Sequence, residues 1–254
     1  MMHHLTVALI TFACVFGSAL LGLYLRTLLP EHHLETDSIA AVKLATGMIA
    51  TMAALVLGLL VSSAKSSFDT VNAQVTHEAA NVILLDRVLA QYGPETLEIR
   101  GLLKQVVNAG LQHVASRDPA QLASLHGPEA FKRGEYLERK LVELSPKTDL
   151  QRRLQARALA MTDDMLAVRE LGLLQAVGST PTALLIVLVS WLCIIFGSFG
   201  LFTSPNTTVT TTFFLGAVST SIAIFLILEM NTPLGGTIAV SLAPLREALT
   251  MLGQ

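Results

Sequence analysis

Charge is scarce in this sequence. Asp, Glu, Lys and Arg together make up 14% of its 254 residues, whereas soluble domains carry roughly 25%. So few charges do not cover the surface of an ordinary soluble fold, and 52% of the chain is hydrophobic. The net charge of -2 leaves no general basic surface, so we expect no nucleic-acid partner. The composition predicts a membrane protein with the lipid bilayer as its first partner.

Cysteine and the common catalytic motifs are also scarce. The two cysteines, Cys14 and Cys193, lie in apolar runs, where a thiol behaves as a small hydrophobic group, and this excludes a disulfide framework. The segment His77–Asn81 is one residue from a zinc-protease helix, but Asn81 stands where the second histidine ligand would be. No phosphate-loop, nucleophile-elbow or Cys-x-x-Cys motif occurs. We therefore predict no enzyme activity, no metal and no cofactor.

Four apolar segments are long enough to cross a bilayer. A hydrocarbon core of about 30 Å needs about 20 helical residues. We predict spans at about 5–29, 39–64, 182–202 and 209–228. These spans form two transmembrane hairpins, 1–64 and 181–230, and the predicted fold is all-α. Between the hairpins, the helical periodicity of region 65–180 predicts a helical bundle.

The distribution of basic residues predicts the orientation of the spans. Region 65–180 holds 14 of the 17 Lys and Arg residues, and basic segments favour the cytoplasmic side of a membrane. With four spans, the N-terminus and the tail at 231–254 lie on the same side as this region. We therefore predict a multi-pass protein of the cell membrane, with a cytoplasmic bundle and a cytoplasmic tail that contains a short amphipathic helix.

Small side chains recur at every fourth position in two of the spans. Such rows let helix backbones approach closely and mark helix–helix contacts in lipid. Packing within the bundle is the simpler interpretation, and a hydrated path or an oligomer interface is the functional one. The row in span two is Thr46, Ala50, Ala54, Gly58 and Ser62, and the row in span four includes Thr212, Gly216 and Thr220.

Two charged residues lie in or at the edge of the spans. Ionisable residues within a membrane are expensive and are functional candidates by default. Snorkelling to the interface is the simpler interpretation of Lys43. Glu229 is different, because the polar helix break at 231–236 follows it and such breaks leave backbone groups free to line a vestibule. We predict Glu229, Asn231 and Lys43 as candidates for an ion pathway or gate.

Several segments next to the spans follow the pattern of a known family. These segments are Pro181–Trp191, the Thr203–Asn206 turn, Leu228–Gly236, Val240–Leu245, and Val75–Ala80 followed by Leu85–Arg87. In them the chain resembles the bestrophin-like family of unknown function. The resemblance implies a four-span protomer with cytoplasmic helices, assembled like bestrophins into a ring around a central anion pore. The residues that it marks as family positions are Glu78, Arg87, Pro181, Glu229, Pro233 and Gly235.

The sequence leads to two hypotheses about function. The first is an oligomeric ion channel that conducts inorganic ions, with the homo-oligomer required because four spans are too few to enclose a pore. An acidic ring at Glu229 would favour cations, whereas the family resemblance implies anions, so the selectivity stays undecided. The alternative is a non-conducting membrane scaffold or sensor that binds a partner through its cytoplasmic helices.

Overall fold

A computed structural model of the chain describes residues 2–28, 36–116, 122, 127–176 and 182–253. Pro181 and the loop before Thr36 lie outside the described residues. Within these ranges the secondary structure consists of eight α-helices and one 3-10 turn, Pro94–Thr96, with no β-strand, which confirms the all-α prediction. The helices are α1 Met2–Leu28, α2 Thr36–Tyr92, α3 Leu97–Ser116, α4 Pro128–Val142, α5 Asp149–Ala176, α6 Thr182–Leu201, α7 Thr207–Met230 and α8 Ala243–Met251.

Four of the helices are long and apolar enough to cross a membrane, as predicted. They are α1, α2, α6 and α7, and their most apolar windows have mean hydropathies between 2.1 and 2.5. Helix α2 has 57 residues, far more than the roughly 20 that a bilayer needs. Residues 44–64 are free of charge, so this stretch is the part of α2 that fits the hydrocarbon core.

The helices fall into two compact units. Unit 1 comprises Met1–Ser67 and Ser179–Asn231, and unit 2 comprises Phe68–Gly178 and Thr232–Gln254. Helix α2 contributes to both units, and the other three apolar helices belong to unit 1. Helices α3, α4, α5 and α8 belong to unit 2.

In unit 1, α1 crosses α6 closely and lies antiparallel to α7. Ala19 of α1 lies against Gly200 of α6, and Gly22 lies against Gly197 and Leu201. The hydroxyl of Ser221 donates to the Ala8 carbonyl at 2.6 Å, and His4 at the start of α1 meets Glu229 at the end of α7. Opposite directions of α1 and α7 are what the first and the fourth crossing of a membrane require.

The contact between α1 and α6 is a backbone contact. A Cβ atom built on Gly22 would collide with the Gly197 carbonyl oxygen, and one built on Gly200 would collide with the Ala19 carbonyl oxygen. Close approach of this kind is typical of helix pairs in lipid. The hydrophobic effect does not drive association there, and small residues allow close van der Waals packing instead.

The turn between α6 and α7 follows from its sequence. The side chain of Asn206 accepts a hydrogen bond from the Val209 N–H at 2.8 Å, which caps the first turn of α7. At the other end of α7, the N–H of Asn231 donates to the Ile227 carbonyl at 3.2 Å. Helix α7 therefore extends from Thr207 to Met230, slightly beyond the predicted span at both ends.

Unit 2 has a core of large aliphatic side chains. Helix α2 ends at Tyr92 because Gly93 follows in the left-handed region, at a φ of 135°, and Pro94 comes next. The hydroxyl of Thr96 then donates to the Leu89 carbonyl at 2.6 Å and fixes the turn into α3. The core residues are Val82, Leu85, Val88, Leu89, Tyr92, Ile99, Leu103, Leu137, Leu141, Leu154, Ala158 and Leu252.

Candidate functional site

The candidate site in unit 1 is centred on Glu229, in the last turn of α7. Its side chain is fully buried, with 0% exposure. The Nδ1 atom of His4, in the first turn of α1, lies 3.1 Å from Glu229 Oε1, a distance at which an imidazole N–H donates to a carboxylate. Burying a carboxylate is costly unless it is paired and hydrogen-bonded. The antiparallel packing of α1 on α7 provides this partner.

The end of α7 beside Glu229 is closed by Asn231. Its side-chain Nδ2 donates to the Ile227 carbonyl at 3.0 Å, and its backbone N–H reaches the same carbonyl. Helix ends leave carbonyl groups without helical partners, and Asn231 satisfies one of them. The structure thus places Asn231 as a cap of α7, half-buried, two residues from Glu229.

Lys43, the third predicted candidate, is exposed on α2. The small residues in the row on α2 differ in how far they are buried. Thr46 is buried and Ala50 is half-buried, whereas Ala54, Gly58 and Ser62 are exposed. A Cβ atom on Gly58 would meet no atom within 4 Å. The buried face of this part of α2 consists instead of Ala53, Leu60 and Ala64.

The row on α7 packs differently. Gly216 lies under the Phe196 ring, which would be 3.1 Å from a Cβ at that position. The hydroxyls of Thr212 and Thr220 donate to carbonyls one turn earlier in their own helix, each at 2.9 Å. These internal hydrogen bonds satisfy both hydroxyl protons, and Thr212 remains exposed.

Four of the family positions lie in unit 2: Glu78 and Arg87 on α2, and Pro233 and Gly235 after α7. Arg87 is exposed, whereas Glu78, Pro233 and Gly235 are half-buried. The N–H of Gly235 donates to the Thr232 carbonyl at 3.2 Å, which closes a turn in the tail. The described residues include no group of three His, Cys, Asp or Glu that could hold a metal ion.

A buried acid in unit 2 was missed by the sequence analysis. Asp86, the neighbour of Arg87, is 4% exposed and accepts hydrogen bonds from Arg100 Nε and Nη2, both at 2.8 Å. It also accepts the Gly253 N–H at 3.2 Å. Burial raises the pKa of Asp86, but these hydrogen bonds and the charges of Arg100 and Lys104 outweigh it and hold the pKa below its usual value. The hydrogen bond to Asp86 raises the pKa of Arg100.

His4, Gly22, Gly197 and Gly200 were also missed as contact residues. The rule that found the rows in spans two and four would have found Ser18 and Gly22 in span one, because they stand four positions apart. For His4 there was no comparable signal. Its partner is 225 positions away, and only the packing of α1 against α7 brings the two side chains together.

These observations define an all-helical membrane protein with four apolar helices in one unit and a charged, amphipathic second unit. A family model described as the Bestrophin-like domain matches residues 13–245, from α1 into α8. The chain therefore belongs to the bestrophin-like family, which confirms the resemblance seen in the sequence. Comparisons with curated proteins and with solved structures gave no match.

Proposed function

We propose that the chain is the protomer of an oligomeric ion channel of the bestrophin-like type, which conducts inorganic ions across the cell membrane. The observation that carries the proposal is the family match over residues 13–245, which includes three of the four apolar helices and the part of α1 from residue 13 onward. The proposal assigns no catalytic residue and no cofactor. It places the N-terminus, unit 2 and the tail in the cytoplasm, on the basis of the basic residues of region 65–180.

The exposed face of α2 supports a homo-oligomer. Ala54, Gly58 and Ser62 are uncovered within the chain, and small residues of this kind let a helix of a second copy approach closely. One chain has four candidate spans, which are too few to enclose a pore, so a channel requires several copies of the chain. In a ring, this face of α2 would lie either against the neighbouring protomer or along the pore.

The His4–Glu229 pair supports a role for Glu229 in selectivity or gating. A ring would repeat Glu229 once in each protomer, and rings of acidic side chains favour cations. The contact with His4 holds the Glu229 side chain in its buried position, so the pair bears directly on the undecided selectivity.

An ion-flux assay on the purified protein tests the proposal. Proteoliposomes loaded with KCl should release their salt in a protein-dependent way, and the particle mass in detergent should be a multiple of the 27.2 kDa chain. We expect Glu229→Gln to change the flux or its ion preference. The matched control is Glu135→Gln, on the exposed surface of α4, which should leave the flux as in the wild type. An active channel that is unchanged by Glu229→Gln would contradict the role of Glu229.

A membrane scaffold or sensor is the second candidate function. It is favoured by large apolar side chains that unit 2 leaves exposed, since exposed apolar patches mark interaction sites. Leu150 is 63% exposed, and Leu97 and Val142 are similarly open. A folded, oligomeric protein that passes no ions, and that captures a partner only while these side chains are intact, would favour this function over a channel.

A further inference from the structure

The two cysteines of the chain lie beside each other in unit 1. Cys14 belongs to α1 and Cys193 to α6, and Cys14 interacts electrostatically with Cys193. The thiol of Cys193 is also hydrogen-bonded to the side chain of Ser18. Because the Ser18 hydroxyl donates to the Val15 carbonyl at 2.7 Å, its oxygen is the acceptor for the thiol. The chain has no framework of disulfides, but its only two thiols form a pair.

The backbone contact between α1 and α6 sets the spacing of this pair. A Cβ atom on Gly197 would lie 3.5 Å from the Ser18 carbonyl oxygen. Cys14 stands four positions before Ser18, and Cys193 stands four positions before Gly197. Residues four apart lie on the same face of a helix. A disulfide needs two Cα atoms within about 7 Å, and helices that touch one turn away bring two cysteines close to this range.

The two thiols differ in their access. Cys14 is exposed within the chain, whereas Cys193 is half-buried. Residues 5–25 carry no charge, so the exposed side of Cys14 faces the hydrocarbon core of the bilayer. A molecule dissolved in the bilayer therefore reaches Cys14 first. An accessible thiol beside a protected one suits stepwise oxidation, in which the second thiol resolves the product of the first.

The apolar surroundings narrow the class of oxidant. Thiols in such surroundings stay protonated and react slowly, so the oxidant has to be concentrated next to them. A lipid hydroperoxide meets this condition, because its acyl chain holds the hydroperoxide group within the bilayer. Hydrogen peroxide has the same O–O bond but is dissolved mainly in water.

We propose that Cys14 and Cys193 are a site of oxidation by lipid hydroperoxides, which convert the two thiols into a disulfide between α1 and α6. The sulfur of Cys14 attacks the terminal oxygen of the hydroperoxide and breaks the O–O bond. The thiol proton passes to the departing alkoxide, which leaves as an alcohol, and Cys14 becomes a sulfenic acid. The sulfur of Cys193 then displaces the hydroxyl group, which leaves as water with the Cys193 proton.

This step balances without a further reactant. The two thiols lose two electrons and two protons, and one hydroperoxide is reduced to one alcohol and one water. A dithiol reductant reverses the oxidation by thiol–disulfide exchange. The disulfide joins two apolar helices of one protomer, and the site is independent of whether the protein conducts ions.

Oxidation of the full-length oligomer in lipid vesicles tests the proposal. The probe is linoleic acid hydroperoxide, and mass spectrometry of unreduced digests measures the peptide pair that contains Cys14 and Cys193. The matched control is the double variant Ala13→Cys/Cys14→Ser. Position 13 is exposed like position 14, but one step along the helix turns the thiol by about 100° away from Cys193. We expect at least about tenfold more intramolecular disulfide in the wild type than in this control.

Single variants separate the two steps. Cys193→Ser should stop at a Cys14 sulfenic acid, which a dimedone probe traps, and Cys14→Ser should form far less sulfenic acid. Equal doses of hydrogen peroxide should give less disulfide than the lipid hydroperoxide. The proposal would be overturned by wild-type thiols that both remain open to alkylation, by disulfides that form only between protomers, or by as much disulfide in the control. Disulfide from hydrogen peroxide alone would overturn the assigned oxidant.

Discussion

The two units of this protein pack their helices in different ways. In unit 1, the backbones of α1 and α6 touch at Gly22 and Gly200, where the contact has no room for a Cβ atom. In unit 2, helices are separated by a layer of leucine, isoleucine and valine side chains. Lipid tails are as apolar as leucine, so only close packing distinguishes a helix neighbour from lipid. Water makes the burial of aliphatic side chains favourable by itself. The packing of unit 1 therefore matches a lipid solvent, and the packing of unit 2 matches water.

Each unit also contains a buried carboxylate with a basic partner. Asp86 receives a two-point contact from Arg100, a geometry that makes strong and rigid ion pairs. Glu229 is paired with Nδ1 of His4 at 3.1 Å, a longer contact than those between Asp86 and Arg100. The pair in unit 2 is suited to a fixed structural role. The pair in unit 1 joins the first and the last of the apolar helices, α1 and α7.

The largest effect is expected from removing the structural pair of unit 2. Asp86→Ala should lower the free energy of unfolding by about 3 to 5 kcal/mol, because it removes the carboxylate that two hydrogen bonds join to the partly buried Arg100. Chemical denaturation in detergent, followed by helical circular dichroism, measures this. The control is Asp149→Ala, whose pair with Arg152 is exposed and should contribute little. Equal losses of stability in the two variants would mean that the buried ion pair contributes no more than the exposed one.

The next effect is expected at the backbone contact of unit 1. Gly22→Ala should cost about 1 to 3 kcal/mol, because the added Cβ collides with the backbone of α6 and overpacks the contact. Loss of the monodisperse peak in size-exclusion chromatography after heating measures it. Gly17→Ala, five positions earlier in α1, is the control, since its Cβ would meet nothing within 4 Å. A stable Gly22→Ala protein would show that α1 and α6 are not in backbone contact.

A smaller effect is expected from acid. The pKa of Asp86 is lower in the folded protein than its usual value, so the stability that it contributes is fully present above the unfolded-state pKa. That stability is lost as the pH falls through the folded-state pKa. Denaturation curves taken from neutral to acid pH should therefore show a decline in the free energy of unfolding, and this decline should be weaker in Asp86→Asn than in the wild type. An identical decline in the variant would assign the acid sensitivity to other groups.

The smallest effect is expected at Tyr92, and it has the opposite sign. In the part of the chain that the structure describes, the hydroxyl of Tyr92 is buried and has no hydrogen-bond partner. Removing a buried group without a partner relieves its desolvation cost, so Tyr92→Phe should stabilise unit 2 by up to about 1 kcal/mol. Tyr136→Phe, at an exposed site on α4, should change nothing. Destabilisation by Tyr92→Phe would mean that a bound water holds the hydroxyl.

The sequence predicted the features of unit 1 that depend on local composition. Apolar length located the four spans, and the Thr203–Asn206 turn was readable because Asn206 is a typical cap. Helix α2 continues to Tyr92 because no glycine or proline interrupts it between Gly58 and Gly93.

The features that escaped prediction depend on contacts between distant parts of the chain. Spacing within one helix does not reveal that His4 contacts Glu229 or that α1 packs closely against α6. It also does not reveal which of two adjacent charges is buried. One step along a helix turns the side chain by about 100°, so Asp86 faces the core while Arg87 faces away. The small residues of α2 stand at every fourth position, but the chain itself buries only Thr46 and partly covers Ala50.

Ion conduction is best measured as the current across planar bilayers that contain the purified wild-type protein under a KCl gradient. We predict discrete, protein-dependent currents, and the sign of the reversal potential will show whether the channel conducts the anion or the cation. Replacement of each ion in turn should move that potential for one of them only. Silence across voltage and pH, from protein shown to be folded and oligomeric, would contradict the channel and favour the scaffold or sensor.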